Sequence, residues 1–202
     1  MQEVEAERSL CEEVAANRTP TRDVDPLFVN RWSGYAMTGD PVPEEDYLPV
    51  FEAARWAPSS RNTQPWRFAY ADRRDDEWET FVSLPNDWNR KWAENAAVLV
   101  VLFSETTDDE GRELSSHSFD AGAAWENLAL EATRRGLVAH PMGGFDHDAA
   151  REKLNAPADY DVEVMVAIGE PAPTETLPDD LQNGDEPNQR KPLDEIVSRG
   201  GF

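Results

Sequence analysis

The densest run of side chains able to bind a ligand is Ser59-Ser-Arg-Asn-Thr-Gln64, which offers hydroxyls, amides and one guanidinium between Pro58 and Pro65. Hydroxyls and amides both donate and accept hydrogen bonds, so a loop of this content suits a planar, hydrogen-bond-rich ligand. A second window, Pro141-Met-Gly-Gly-Phe145, carries two adjacent glycines. They let a backbone lie against a flat ligand with no side chain in the way, and they serve a plain Gly-Gly turn equally well. Other chemistries are poorly provided for. Ser59 and Ser60 lack a Gly-x-Ser-x-Gly elbow, and only 3 histidines are available as a base, so nucleophilic hydrolysis is not indicated. His140, Asp146, His147 and Asp148 lack a fixed helical pairing, and no metal site is expected from them. Neither a Gly-x-Gly-x-x-Gly nor a Gly-x-x-x-x-Gly-Lys run occurs, so a Rossmann or P-loop nucleotide site is not indicated.

The elements that must position these windows are readable from periodicity. Glu44 to Trp56 has helical spacing and an acidic first turn after Pro43, with Pro49 a possible bend, and Pro58 should stop it. Trp66 to Ala71 alternates as a strand does, so residues 59–64 form a helix-to-strand loop. Trp78 to Leu84 and Asn86 to Trp92 read as further helical segments, where Trp88 and Trp92 suit core or subunit packing more than ligand stacking. Ala96 to Phe103 and Val162 to Ile168 are apolar runs fit for strands covered on both faces. Ser118 to Arg135 predicts a long helix with apolar groups around most of its circumference, which must be buried on several sides, and Gly136 supplies its stop. Leu137 to His140 then leads into the glycine loop, and Asp146 to Leu154 is a short capped helix. Pro171 to Gln189 is rich in Pro, Asp and Glu with little to bury.

At 202 residues the chain suits one domain with tails. The boundaries expected are a flexible arm over 1–27, a domain over 28–170 and an extended segment over 171–202. Acidic residues outnumber basic ones 41 to 19, for a formal charge of −22, and all but Lys91, Lys153 and Lys191 of the basic residues are arginine. Such a balance resembles salt-loving proteomes and argues against nucleic acid or anionic lipid as a partner. One cysteine, Cys11, excludes an internal disulfide and a multi-thiolate zinc site. Residues 1–30 lack a basic start followed by an apolar run, and no stretch has the ~18 apolar residues of a membrane span, so a cytoplasmic protein is expected.

The Pro58, Ser59, Asn62, Gln64, Pro65 and Trp66 positions reproduce an Ala-Pro-Ser-x-x-Asn-x-Gln-Pro-Trp signature, by which the sequence resembles the nitroreductase family of flavin mononucleotide (FMN) oxidoreductases. Further windows follow in that family's order. Arg31 and Ser33 match an Arg-x-Ser element that grips the FMN phosphate, while Trp32 and Tyr35 stand where many members carry more basic residues. The Asp120 to Leu130 helix resembles the central helix packed between two protomers, and Pro141, Met142, Gly143 and Gly144 resemble the loop that lies on the flavin. On that resemblance the amide of Gly143 donates to the ring. Arg190-Lys-Pro-Leu193 resembles a terminal motif whose arginine reaches the phosphate, with Arg190 the candidate and Lys191 in reserve. The loop residues Pro58, Ser59, Ser60, Asn62 and Gln64 complete the implied cofactor set.

The resemblance covers roughly residues 28–197. It implies an α+β three-layer sandwich, a mixed sheet of four or five strands flanked by helices, in a homodimer with FMN at the interface. The implied reaction is ping-pong: NADH or NADPH gives hydride to FMN, which passes it to an acceptor such as a nitroaromatic or quinone. Dehalogenation, flavin breakdown or ring oxidation on the same scaffold remain open, as does a flavin-binding protein without turnover. No side chain is assigned as a catalytic acid.

Overall fold

Alternation along two apolar strands sets the architecture. The structure, a computed structural model, describes residues 9–201. In β2 (Val98–Glu105), residues Val98, Val100 and Leu102 enter one core, and Leu99, Val101 and Phe103 enter another on the opposite face. Successive side chains of a strand point to opposite faces, so a run apolar at every position must be covered twice. β4 (Tyr160–Gly169) behaves alike, with Val166 and Ile168 on the first face and Met165 and Ala167 on the second. Edge strands β1 (Trp66–Asp72) and β3 (Val138–Met142) complete a sheet of order β1-β2-β4-β3.

The helices form the two outer layers. Two short ones open the described chain, α1 (Glu12–Asn17) and α2 (Pro26–Asn30). On the first face of the sheet lie α3 (Glu44–Arg55), through Tyr47, Val50 and Ala54, and a long helix from His117 to Arg134, through Ala121, Ala124, Leu128 and Ala132. On the second lie α4 (Trp78–Val82) and α5 (Asp87–Ala93), with α6 denoting the long helix (His117–Arg134) and α7 (His147–Lys153) adding Ala150. Asp146 caps α7 by accepting from the Ala149 amide at 2.9 Å. Helices α8 (Asp179–Gln182) and α9 (Leu193–Ile196) follow. The result is the expected α+β three-layer sandwich.

Several expectations change. The sheet is antiparallel throughout, not mixed. The long connection through α6 carries the chain past β4, so the parallel pair β2 and β3 are never neighbours. β3 itself goes beyond the expected lead into the glycine loop; as an edge strand it tolerates Pro141, which has no N–H to donate. Residues 1–8 of the expected arm lie outside the described residues; most side chains of 9–27 are exposed, but two anchor the segment, Val14, which is buried, and Arg18, only 6% exposed. The 171–185 stretch also buries more than its composition suggests, since Leu177 and Leu181 enter the second core. Within a single chain helix α6 buries the side that carries Ala121, Ala124, Leu128 and Ala132, and Phe119 is 82% exposed.

Candidate functional site

The helix-to-strand loop is held in a costly conformation. Arg61, Asn62 and Gln64 have φ of 53°, 58° and 49°, the left-handed region that side-chain-bearing residues avoid at a cost of ~1–3 kcal/mol each. The loop supplies its own restraints: the Ser59 hydroxyl accepts from the Gln64 amide at 2.9 Å and the Gln64 side chain donates to the Asn62 carbonyl at 3.0 Å. A buried carboxylate supplies another. Asp120, near the start of α6, accepts from the Ser60 amide at 3.0 Å and from the Ser116 hydroxyl at 3.2 Å. Ser59 and Gln64 are therefore partly spent on shaping the loop, while Asn62 is left exposed at its tip.

A second group of expected residues does converge. Arg31, Trp32, Ser33, Tyr35 and Arg190 line one cavity of about 380 Å³, joined by Arg18, His140, Gly184, Glu186 and Asn188. Arg31 bonds the Ser33 hydroxyl at 3.2 Å and lies 4.0 Å from Glu126 of α6. Its guanidinium is held below its ordinary range by burial, against the pull of Glu126 and with the push of Arg190. Arg190 bonds the Asn188 carbonyl and side chain at 3.2 and 2.8 Å. Three guanidiniums thus share a hollow in a chain of net charge −22. An anion is the natural complement of such a group, and a phosphate also matches the fork geometry of arginine. Lys191 lines an adjoining, mainly apolar groove with Phe28, Pro192 and Leu193.

Aromatic packing joins this hollow to β3. The Tyr35 ring stacks on His140 at 4.6 Å and meets Trp88 edge-on at 5.6 Å, while Trp92 lies 4.4 Å from His140. Trp92 is buried in the core; Trp88 remains 45% exposed. Asp185 accepts from the Tyr35 amide at 2.6 Å and fixes the backbone there. The imidazole of His140 bonds the Gly34 carbonyl at 3.0 Å, and burial pushes its pKa below 6.5. Beyond β3, the two glycines have different reasons to be glycine. A Cβ on Gly144 would stand 2.6 Å from the side-chain amides of Asn86 and Asn89, whereas one on Gly143 would meet nothing within 4 Å. The Gly143 side is open to a ligand.

The two groups are not brought together within one chain. The 59–64 loop precedes β1 and the glycine loop follows β3, at opposite edges of the sheet. Three strand spacings separate those edges, roughly 14 Å. A third cluster went unforeseen in the sequence: the Ser104 hydroxyl contacts His117 Nδ1 at 2.7 Å and donates to Glu163, which also accepts from Ser118. Ser104 is fully buried, so the set ties the start of α6 to β2 and β4 and does not form a nucleophile.

Comparison with known proteins identifies the family and the fold. The family model described as the nitroreductase family matches residues 29–81 and 71–170. The chain belongs to the nitroreductase family. Among solved structures it is similar to one described as an oxidoreductase containing FMN, with 45% identity, a TM-score of 0.88, and 92% of this chain and 96% of that one covered. It is also similar to a putative nitroreductase in complex with FMN from Desulfovibrio desulfuricans, at 25% identity and a TM-score of 0.69, covering 89% of this chain and 99% of that one. A putative NADH dehydrogenase/NAD(P)H nitroreductase of Streptomyces coelicolor is 27% identical over 177 residues, 77% of this chain and 86% of that protein. In this nitroreductase-family chain, Arg18 lies outside the matched region, and no motif in the sequence singled it out. Asp120 and Asp185 were likewise unsignalled as supports, since one buried acid among 41 acidic residues has no local mark.

Proposed function

We propose that this protein is an FMN-dependent oxidoreductase that moves hydride from NADH or NADPH to a small acceptor such as a nitroaromatic or quinone. The observation that carries the reading is the arginine hollow of Arg18, Arg31 and Arg190, which opens beside the strand leading to the exposed Gly143 backbone. The names of its relatives, FMN-containing oxidoreductase and NAD(P)H nitroreductase, support the cofactor and the donor. When bound, FMN supplies the two-electron chemistry of the reaction.

The chain's own residues bind and orient. Arg31, Ser33 and Arg190 would hold the phosphate, with Trp32 and Tyr35 as walls and Lys191 at the rim. Pro141 and Met142 would shape one face of the ring pocket, Gly143 would donate its amide there, and Gly144 would let the loop close against Asn86 and Asn89. Pro58, Ser59, Ser60, Asn62 and Gln64 would come from a second copy of the chain, because their own edge of the sheet is distant from the hollow. A homodimer would also cover Phe119. Residues 28–170 form the proposed flavin domain, with 1–27 and 171–202 as flanking segments. Among the described residues no helix is long and apolar enough to cross a membrane, which is compatible with a proposed cytoplasmic location.

The test is an absorption spectrum before and after anaerobic addition of NADH and then NADPH. Flavin bands that bleach faster than those of free FMN are expected. A colourless protein that does not take up added FMN would overturn the proposal.

A further inference from the structure

Arg18 is the most deeply buried guanidinium of the hollow, at 6% exposed, and it reaches two distant stretches of chain. Its Nε donates to the Asn188 carbonyl at 2.9 Å, and its Nη1 donates to the carbonyls of Val29 and Arg31 at 2.6 and 2.8 Å. Those acceptors lie on the main chain at Arg31 and two residues before Arg190, the other two arginines of the cavity. Three of the five N–H donors of a guanidinium are thereby spent on backbone. Among the described residues no carboxylate pairs with Arg18, and Nη2 has no acceptor. Burial, and then the charges of Arg190 and Arg31, push its pKa down to about 10.

A buried cation beside two others, with no carboxylate of the described residues bonded to it, is stabilised when an anion enters; Glu186 lines the same cavity but makes no ion pair with Arg18. Carbonyl acceptors hold a guanidinium in place without neutralising it. Arg18 thus keeps its full charge at a fixed position, in a segment that precedes the family-matched residues.

We propose that Arg18 is a positioning residue for the phosphate end of the site: it clamps the Arg31 and Arg190 segments around one cavity and adds a third positive charge to it. This inference rests on the flavin reading above and assigns a binding role to the segment before α2. A lysine cannot reproduce it, because one ammonium lacks the planar fork that spans three carbonyls on two segments.

The experiment compares wild type with Arg18→Met and Arg18→Lys, as the full chain stripped of flavin, at one fixed ionic strength. Thermal midpoints without ligand come first, followed by titration with FMN, riboflavin and inorganic phosphate. Wild type is expected to prefer FMN to riboflavin and to gain thermal stability from phosphate. Arg18→Met is expected to lose FMN affinity tenfold or more, with riboflavin affinity unchanged within about twofold, and to lose the phosphate effect. Arg18→Lys is expected to lose several-fold of the FMN preference and serves as the deciding variant if Arg18→Met does not fold. A preference for FMN over riboflavin that is unchanged in a folded variant overturns the inference alone. Equal losses for both ligands also overturn it, since they mark a general structural role. Failure of wild type to bind FMN overturns the flavin reading together with it.

Discussion

His140 sits between two aromatic rings with its Nδ1 on the Gly34 carbonyl, and its neighbours include Tyr35, Asp185 and Arg31. Burial lowers its pKa in the folded chain below the unfolded value of 6.5, so the unfolded state binds a proton first as pH falls. The stability tied to the neutral ring is fully present above pH 6.5 and is lost as pH drops below it. Thermal midpoints measured from pH 7.5 down to 5 should fall in wild type and fall less in His140→Leu. Asp120 offers a second test. Removing it by Asp120→Ala leaves the Ser60 amide without its partner, which should cost ~1–3 kcal/mol in urea unfolding; Asp120→Asn keeps an acceptor and should cost less. At this scale the motifs marked Arg31, Ser33 and Arg190, which the fold brings to one cavity. The sequence was silent at Arg18, whose partners are main-chain carbonyls 11, 13 and 170 residues away and leave no side-chain pattern to read.

The elements were more legible than their arrangement. Apolar runs located β2 and β4 to within a few residues, and Pro58 and Gly136 ended α3 and α6 as local stereochemistry requires. Edge strand β3 is short and lacks the long apolar run that marks β2 and β4, and the order of the strands is not contained in any local window. The glycine loop shows how one element is fitted to another. Asn86 caps α5 by accepting from the Asn89 amide at 2.8 Å, and the Asn89 side chain donates to the Gly144 carbonyl at 2.9 Å. Neither amide is free to retreat from an added Cβ. Gly144→Ala should therefore destabilise by ~1–3 kcal/mol in urea or thermal unfolding. Gly143→Ala should stay within about 0.5 kcal/mol on stability, as open space permits. On the flavin reading it should nevertheless weaken FMN binding, measured by fluorescence titration, because a methyl group would occupy the ligand's side of the loop.

For the whole molecule, the exposed side of α6 and the separation of the two site groups point the same way. Phe119→Asp should shift the protein toward monomer in sedimentation analysis and lower FMN affinity in parallel; a monomeric wild type that binds FMN tightly would contradict the dimer proposal. β1 and β3 are the edge strands of the sheet among the described residues, and a sheet edge invites strand-to-strand joining between molecules unless something blunts it. Pro141 interrupts one of them. It removes one backbone donor from five-residue β3. Proline on an edge strand is a feature that disfavours edge-on joining, so β3 is a poorer template than β1 for a continuous sheet between copies.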